Sequence, residues 1–159
     1  MTPFELQADP KQLAIYAVFG AFIVLLVLIS VIKNAKGGKG LKQLKEEYSG
    51  KIVRDLNYKY YSGFLTPDEL YLCEKNKKAV SVYKISDIAS IRSSRDKNVG
   101  WSFCLYDDEN KPLKGEVTDG KTRKPRKVAI QHPLKHNEAD ELMEILMKMD
   151  PRIRRFSRD

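Results

Sequence analysis

The sequence predicts an α+β chain: an apolar helix at the amino end, an antiparallel sheet of short strands, and an amphipathic helix that closes it. Three observations carry this expectation. Residues 13–32 run for twenty positions without a charge. Between 58 and 131, apolar residues recur in short runs with a period of two. Between 137 and 149 the apolar period becomes that of a helix.

The uncharged run, LAIYAVFGAFIVLLVLISVI, holds fourteen Leu, Ile, Val or Phe residues. As a helix it would measure about 30 Å, the thickness of a bilayer's hydrocarbon core. Its insertion free energy sums to about −6 kcal/mol. The preceding residues 1–12 contain Glu5 and Asp9 against Lys11, which is not the basic start of a cleavable signal. Lys33, Lys36, Lys39, Lys42 and Lys45 follow the run. By the positive-inside rule, residues 1–12 are then an extracytoplasmic tail, 13–32 a single-pass transmembrane helix, and the rest a cytoplasmic body at the cell membrane. Ala14, Ala17 and Ala21 share one face of that helix and offer a small-residue association surface.

Residues 33–159 carry 28 Lys and Arg against 19 Asp and Glu, enough chain for one domain with a basic surplus. Such a surplus suits an anionic surface. Nucleic acid is the poorer match, because no cluster combines Arg with stacking aromatics. Cys73 and Cys104 form no metal-type spacing, and a reducing compartment argues against a disulfide between them.

Residues 33–49 read as a basic juxtamembrane linker. KNAKGGKG is a glycine-rich tether, and Leu41, Leu44 and Tyr48 mark one face of a short helix. The domain is expected over 50–150. Strands are predicted at 58–65, 70–73, 79–85, 88–92, 99–106, 112–117 and 126–131, with Val128 and Ile130 facing inward in the last. Thr66-Pro67-Asp68-Glu69 and Asp107-Asp108-Glu109-Asn110 are turns. Asn137 can cap the closing helix, whose stripe is Leu142, Ile145, Leu146 and Met149; Pro151 ends it. Residues 151–159 are a basic tail.

The segment GFLTPDELYLCEKNKKAVSVYKISDIASI, with its Leu-Thr turn and its Ile85, Ile88, Ile91 step, resembles the pleckstrin-homology (PH)-like superfamily, including GRAM and bacterial PH-like modules. The resemblance implies a seven-stranded antiparallel barrel or sandwich capped by the carboxyl-terminal helix. It also implies a bacterial single-pass protein with a binding or scaffolding role and no catalysis. The first hairpin of phosphoinositide-binding members is basic; here Asp68 and Glu69 make it acidic.

Candidate chemistry is sparse. Cys104 and His132 would serve as nucleophile and base only if they met. His132 and His136 flank Pro133 at the helix entry and read as loop residues. Asp107, Asp108, Glu109 and Asp119 read as solvated turn charges. The densest basic cluster is Lys121, Arg123, Lys124, Arg126 and Lys127, followed by Arg152, Arg154 and Arg155 in the tail. The expected function is a non-catalytic, membrane-tethered module that recruits or stabilises a protein partner. Its expected partners are the bilayer and that protein, and no cofactor or metal is implied. The alternative is a sensor of anionic lipid head groups through loop 121–127 and tail 152–158. A membrane-associated hydrolase is the remaining reading.

Overall fold

The structure, a computed structural model, describes residues 10–36, 38–96 and 100–155, with side chains described at 14–29, 38–95 and 101–155. The chain divides into two compact units, Met1–Ala35 and Lys36–Asp159.

The first unit contains helix α1, Pro10–Lys36. Its apolar side chains are exposed on all faces, from Ile15 to Ile29. The single-pass expectation is corrected here: among the described residues no helix is long and apolar enough to cross a membrane. The transmembrane helix, the membrane keywords and the cell-membrane location with an external amino end are therefore withdrawn. Residues 1–9 lie outside the described residues.

The second unit bears out α+β in general, but its sheet architecture departs from the expected seven strands. Ten strand segments are described: β1 Arg54–Asn57, β2 Tyr61–Leu65, β3 Glu69–Glu74, β4 Val80–Lys84, β5 Ser90–Asp96, β6 Gly100–Tyr106, β7 Glu116–Thr118, β8 Arg123–Pro125, β9 His132–Pro133 and β10 Arg154–Arg155. They form a six-stranded sheet, β1-β2-β3-β4-β7-β8, and a four-stranded sheet, β10-β5-β6-β9. All pairings are antiparallel except β10 with β5.

The expected strand at 126–131 does not form. Val128 is 74% exposed, and the flanking pieces β8 and β9 join different sheets. Part of the expected basic loop 121–127 instead forms a hairpin strand, in which Arg123 pairs with Thr118. The tail is partly docked as well: Ile153 is buried and Arg154 pairs with Ser90.

Two cores sandwich the six-stranded sheet. Leu65, Leu70, Leu72 and Tyr83 face the four-stranded sheet and pack with Ile85, Ile88, Ile91, Phe103 and Leu105. Helix α3, His136–Met149, closes this core with Ala139, Leu142, Met143 and Leu146. Its start is set by Glu138, which accepts the Lys135 N–H at 2.9 Å and the Lys59 N–H at 2.7 Å. This Glu138 capping replaces the expected Asn137 cap.

On the other face lie Phe64, Tyr71, Cys73, Val80 and Val82. Helix α2, Lys39–Glu47, covers them with Leu41 and Leu44. A nine-residue helix is marginal by itself, so tertiary packing must hold α2. Burial of each leucine contributes about 1.5–3 kcal/mol. Its entry is clamped: Gly38 takes φ +77° and donates its N–H to the Lys77 carbonyl at 3.1 Å. Gly40 lies against the turn between β7 and β8, where a Cβ would come within 2.5 Å of the Asp119 carbonyl oxygen. Of the glycines of KNAKGGKG, Gly38 thus serves a left-handed turn and Gly40 a close approach.

Gly40→Ala should lower the unfolding free energy by about 1–3 kcal/mol in urea titration, because a backbone atom and not a movable side chain blocks the new methyl. Gly50→Ala, with open space around its Cβ, should change it by less than about 0.5 kcal/mol.

Candidate binding surface

The β7–β8 hairpin presents the densest predicted basic cluster. Its turn is built by local hydrogen bonds: Thr118 Oγ1 accepts the Gly120 N–H at 3.1 Å, and Asp119 Oδ1 accepts the N–H groups of Lys121 and Thr122. Those two bonds hold the Asp119 carboxyl below its ordinary range. Asp119 is a turn anchor, as is Asp107, whose Oδ1 accepts from the N–H groups of Glu109 and Lys111.

The five basic residues of this segment do not act together. Arg123 turns back across the sheet. Its two terminal nitrogens donate to both oxygens of Glu69, at 2.6 and 2.9 Å, and one also reaches Tyr71 Oη at 2.5 Å. Tyr48 Oη lies 3.3 Å away, and Glu116 adds a longer contact at 3.6 Å. Tyr71 donates its hydroxyl proton to Glu69 as well. The Arg123 hydrogen bonds hold the Glu69 carboxyl below the ordinary glutamate range. Arg126 also turns inward and donates to Ser81 Oγ at 3.0 Å. Lys121, Lys124 and Lys127 remain exposed.

The tail divides in the same way. Arg152 clasps the Asp150 carboxylate, with Nε 3.0 Å from one oxygen. Arg155 holds Asp140 at 2.6 Å. Arg154 is exposed. The hairpin lies at the β8 margin of one sheet and the tail at the β10 margin of the other. The pair imagined as a single lipid-sensing patch therefore sits on two different sheets. Residues 156–158 of that tail lie outside the described residues. On α1, Ala14, Ala17 and Ala21 are exposed.

Cys104 and His132 do not meet as nucleophile and base. His132 is paired across strands with Phe103, and its side chain shares that residue's face; Cys104 points to the other. The Cys104 thiol faces the carbonyls of Leu105 and Ile130 at 3.7 Å, and burial raises its pKa. His132 is 1% exposed, stacks on Phe103 at 5.0 Å, and bonds Tyr83 Oη through Nε2 at 2.8 Å. Burial, helped by Arg126, lowers its pKa to about 3. It is a neutral structural histidine. His136, by contrast, is exposed and stacks on Trp101 at 4.3 Å.

Sequence reasoning did not find a further feature, a cleft of about 280 Å³ beside α2, lined by Gly38, Leu41, Lys42, Lys45, Ser62, Cys73 and Lys75. The available signal was the unbroken apolar run Leu70–Cys73, which implies burial on both faces of β3 and so a covering element. Among the described residues, no group of His, Cys, Asp and Glu could hold a metal ion. No protein-family model, curated protein or solved structure matches this chain.

Two outcomes follow from these side chains. The folded state keeps His132 neutral while the unfolded chain protonates it near pH 6.5, so stability is complete above that pH and falls as pH drops toward 3. At pH 5 the loss should reach about 2 kcal/mol in urea titration, and His132→Gln, which can keep a bond to Tyr83, should flatten that slope. A double-mutant cycle of Arg123→Gln and Glu69→Gln should give a coupling of about 1 kcal/mol, raised by the two-pronged geometry and limited by the solvent that still reaches Arg123.

Proposed function

We propose that this chain is a non-catalytic binding module whose partner is an acidic segment of another protein. One observation carries the reading: in the basic hairpin and tail, four arginines are engaged within the domain while the hairpin's lysines are left in solvent. Arg123, Arg126, Arg152 and Arg155 are held by partners within the domain. Many lysines, including Lys121, Lys124 and Lys127, are left in solvent. The second unit has 27 Lys and Arg against 19 Asp and Glu, so its surface field is positive. Such a field steers an acidic partner and speeds its encounter.

The state of the interior groups supports a role without catalysis. A thiol whose pKa is raised and a histidine held neutral by burial are poorly suited to nucleophilic or acid–base chemistry. The resemblance of 63–91 to PH-like modules, which bind and do not catalyse, agrees with this reading.

The test is fluorescence anisotropy of the full chain with a fluorescein-labelled peptide of alternating Glu and Leu. Binding should appear at low salt and weaken steadily as salt shortens the Debye length to about 10 Å or less. A matching Lys/Leu peptide should not bind. Equal binding of the acidic and basic peptides, or none of either at low salt, would refute the proposal.

A further inference from the structure

Resting on that binding reading, we infer that the acidic segment seats in the cleft beside α2, with one apolar side chain on the Leu41–Cys73 floor and its carboxylates on Lys42 and Lys75. The cleft exists because small residues line it. Gly38 has no side chain, Ser62 and Cys73 have short ones, and Leu41 covers the sheet without filling the space. The lining is more apolar than polar, and Lys42, Lys45 and Lys75 contribute to it.

The charges around the cleft favour an anion. Asp55 occupies Lys45 at 2.5 Å, and Glu46 lies a loose 3.9 Å from Lys42. Glu74 is taken by Lys77 at 2.6 Å. Lys75 is in no ion pair among the described residues. The clamp at α2's entry adds to the field. The Gly38 N–H bonds Lys77, and Gly40 packs between Lys78 and Asp119, so the β3–β4 turn and the β7–β8 turn converge on this end of the domain. Lysines far apart in sequence, Lys39, Lys75, Lys78 and Lys121, therefore come from three segments that meet there.

An apolar socket ringed by ammonium groups selects a ligand with both characters. A purely acidic chain gains the charge but leaves the floor in water. A purely apolar one buries the floor but must strip water from the lysines without compensation. Alternating acidic and apolar side chains satisfy both demands, and an extended backbone would set them on alternate sides.

The experiment is a nuclear magnetic resonance titration of the full chain with the Glu/Leu peptide, beside anisotropy of variants. Amide shifts should concentrate at Gly38, Leu41, Ser62, Cys73 and Lys75. Lys42→Glu with Lys75→Glu should weaken binding about tenfold or more. Ser62→Leu, which fills the cleft without touching charge, should weaken it comparably, with circular dichroism confirming that each variant folds. An all-glutamate peptide should bind more weakly than the Glu/Leu peptide. Shifts confined to the β8 margin, or unchanged binding by the cleft variants, would overturn the cleft while leaving the binding reading intact. Absence of binding by any acidic peptide would instead overturn that reading. Capture by anionic vesicles with no peptide binding would replace the protein partner with a lipid surface and overturn both.

Discussion

The arrangement of the second unit depends on one constraint: β3 is apolar on both faces. Leu70 and Leu72 enter one core, and Tyr71 and Cys73 enter another. A strand of this kind cannot leave either side in water, so the six-stranded sheet needs a layer above and a layer below. The four-stranded sheet and α3 supply one layer. The other is α2, a helix too short to stand alone, held by two leucines and by the glycine contacts at its start. The aromatic stack of Phe64 on Tyr71, with centroids 4.3 Å apart, forms part of the surface that α2 covers.

Electrostatics follows from that packing. Tyr71 brings its hydroxyl to the edge of the outer core, where Glu69 and Arg123 complete a charged network with Tyr48. This network ties the hairpin at the sheet's far margin to β3 and to the chain just after α2. Arginine suits the task, because its planar fork meets both carboxylate oxygens at once. The hairpin's lysines, hydrated point charges on flexible stems, are left in solvent. In the tail, Arg152 and Arg155 likewise each grip an aspartate. Positive charge available to a partner is therefore largely lysine, although the sequence contains dense arginine clusters.

Much of the architecture was legible because periodicity is a local property. The step Ile85, Ile88, Ile91 is buried throughout, and α3 buries Leu142 and Leu146 as its stripe implied. The strands between 61 and 106 lie within a few residues of their expected places. What failed was non-local. Segment 126–131 alternates like a strand, yet Val128 faces solvent because β8 and β9 serve different sheets. β1 was missed because Arg-Asp-Leu-Asn carries one apolar residue, and its pairing with β2 defines it. The transmembrane reading rested on the length, hydropathy and flanking charge of residues 13–32, and no helix among the described residues meets the requirement. The cleft was invisible for the same reason as the arginine pairs: its lining comes from 38–45, 62 and 73–75, and only the fold brings them together.

The outermost strand of the six-stranded sheet, β8, ends in Pro125. Proline has no N–H to give, so a further strand arriving along this margin finds an incomplete ladder. Backbone-templated polymerisation is discouraged on that side. A molecule that meets this rim finds side chains rather than a complete backbone ladder, and the rim is a poor seed for fibrils.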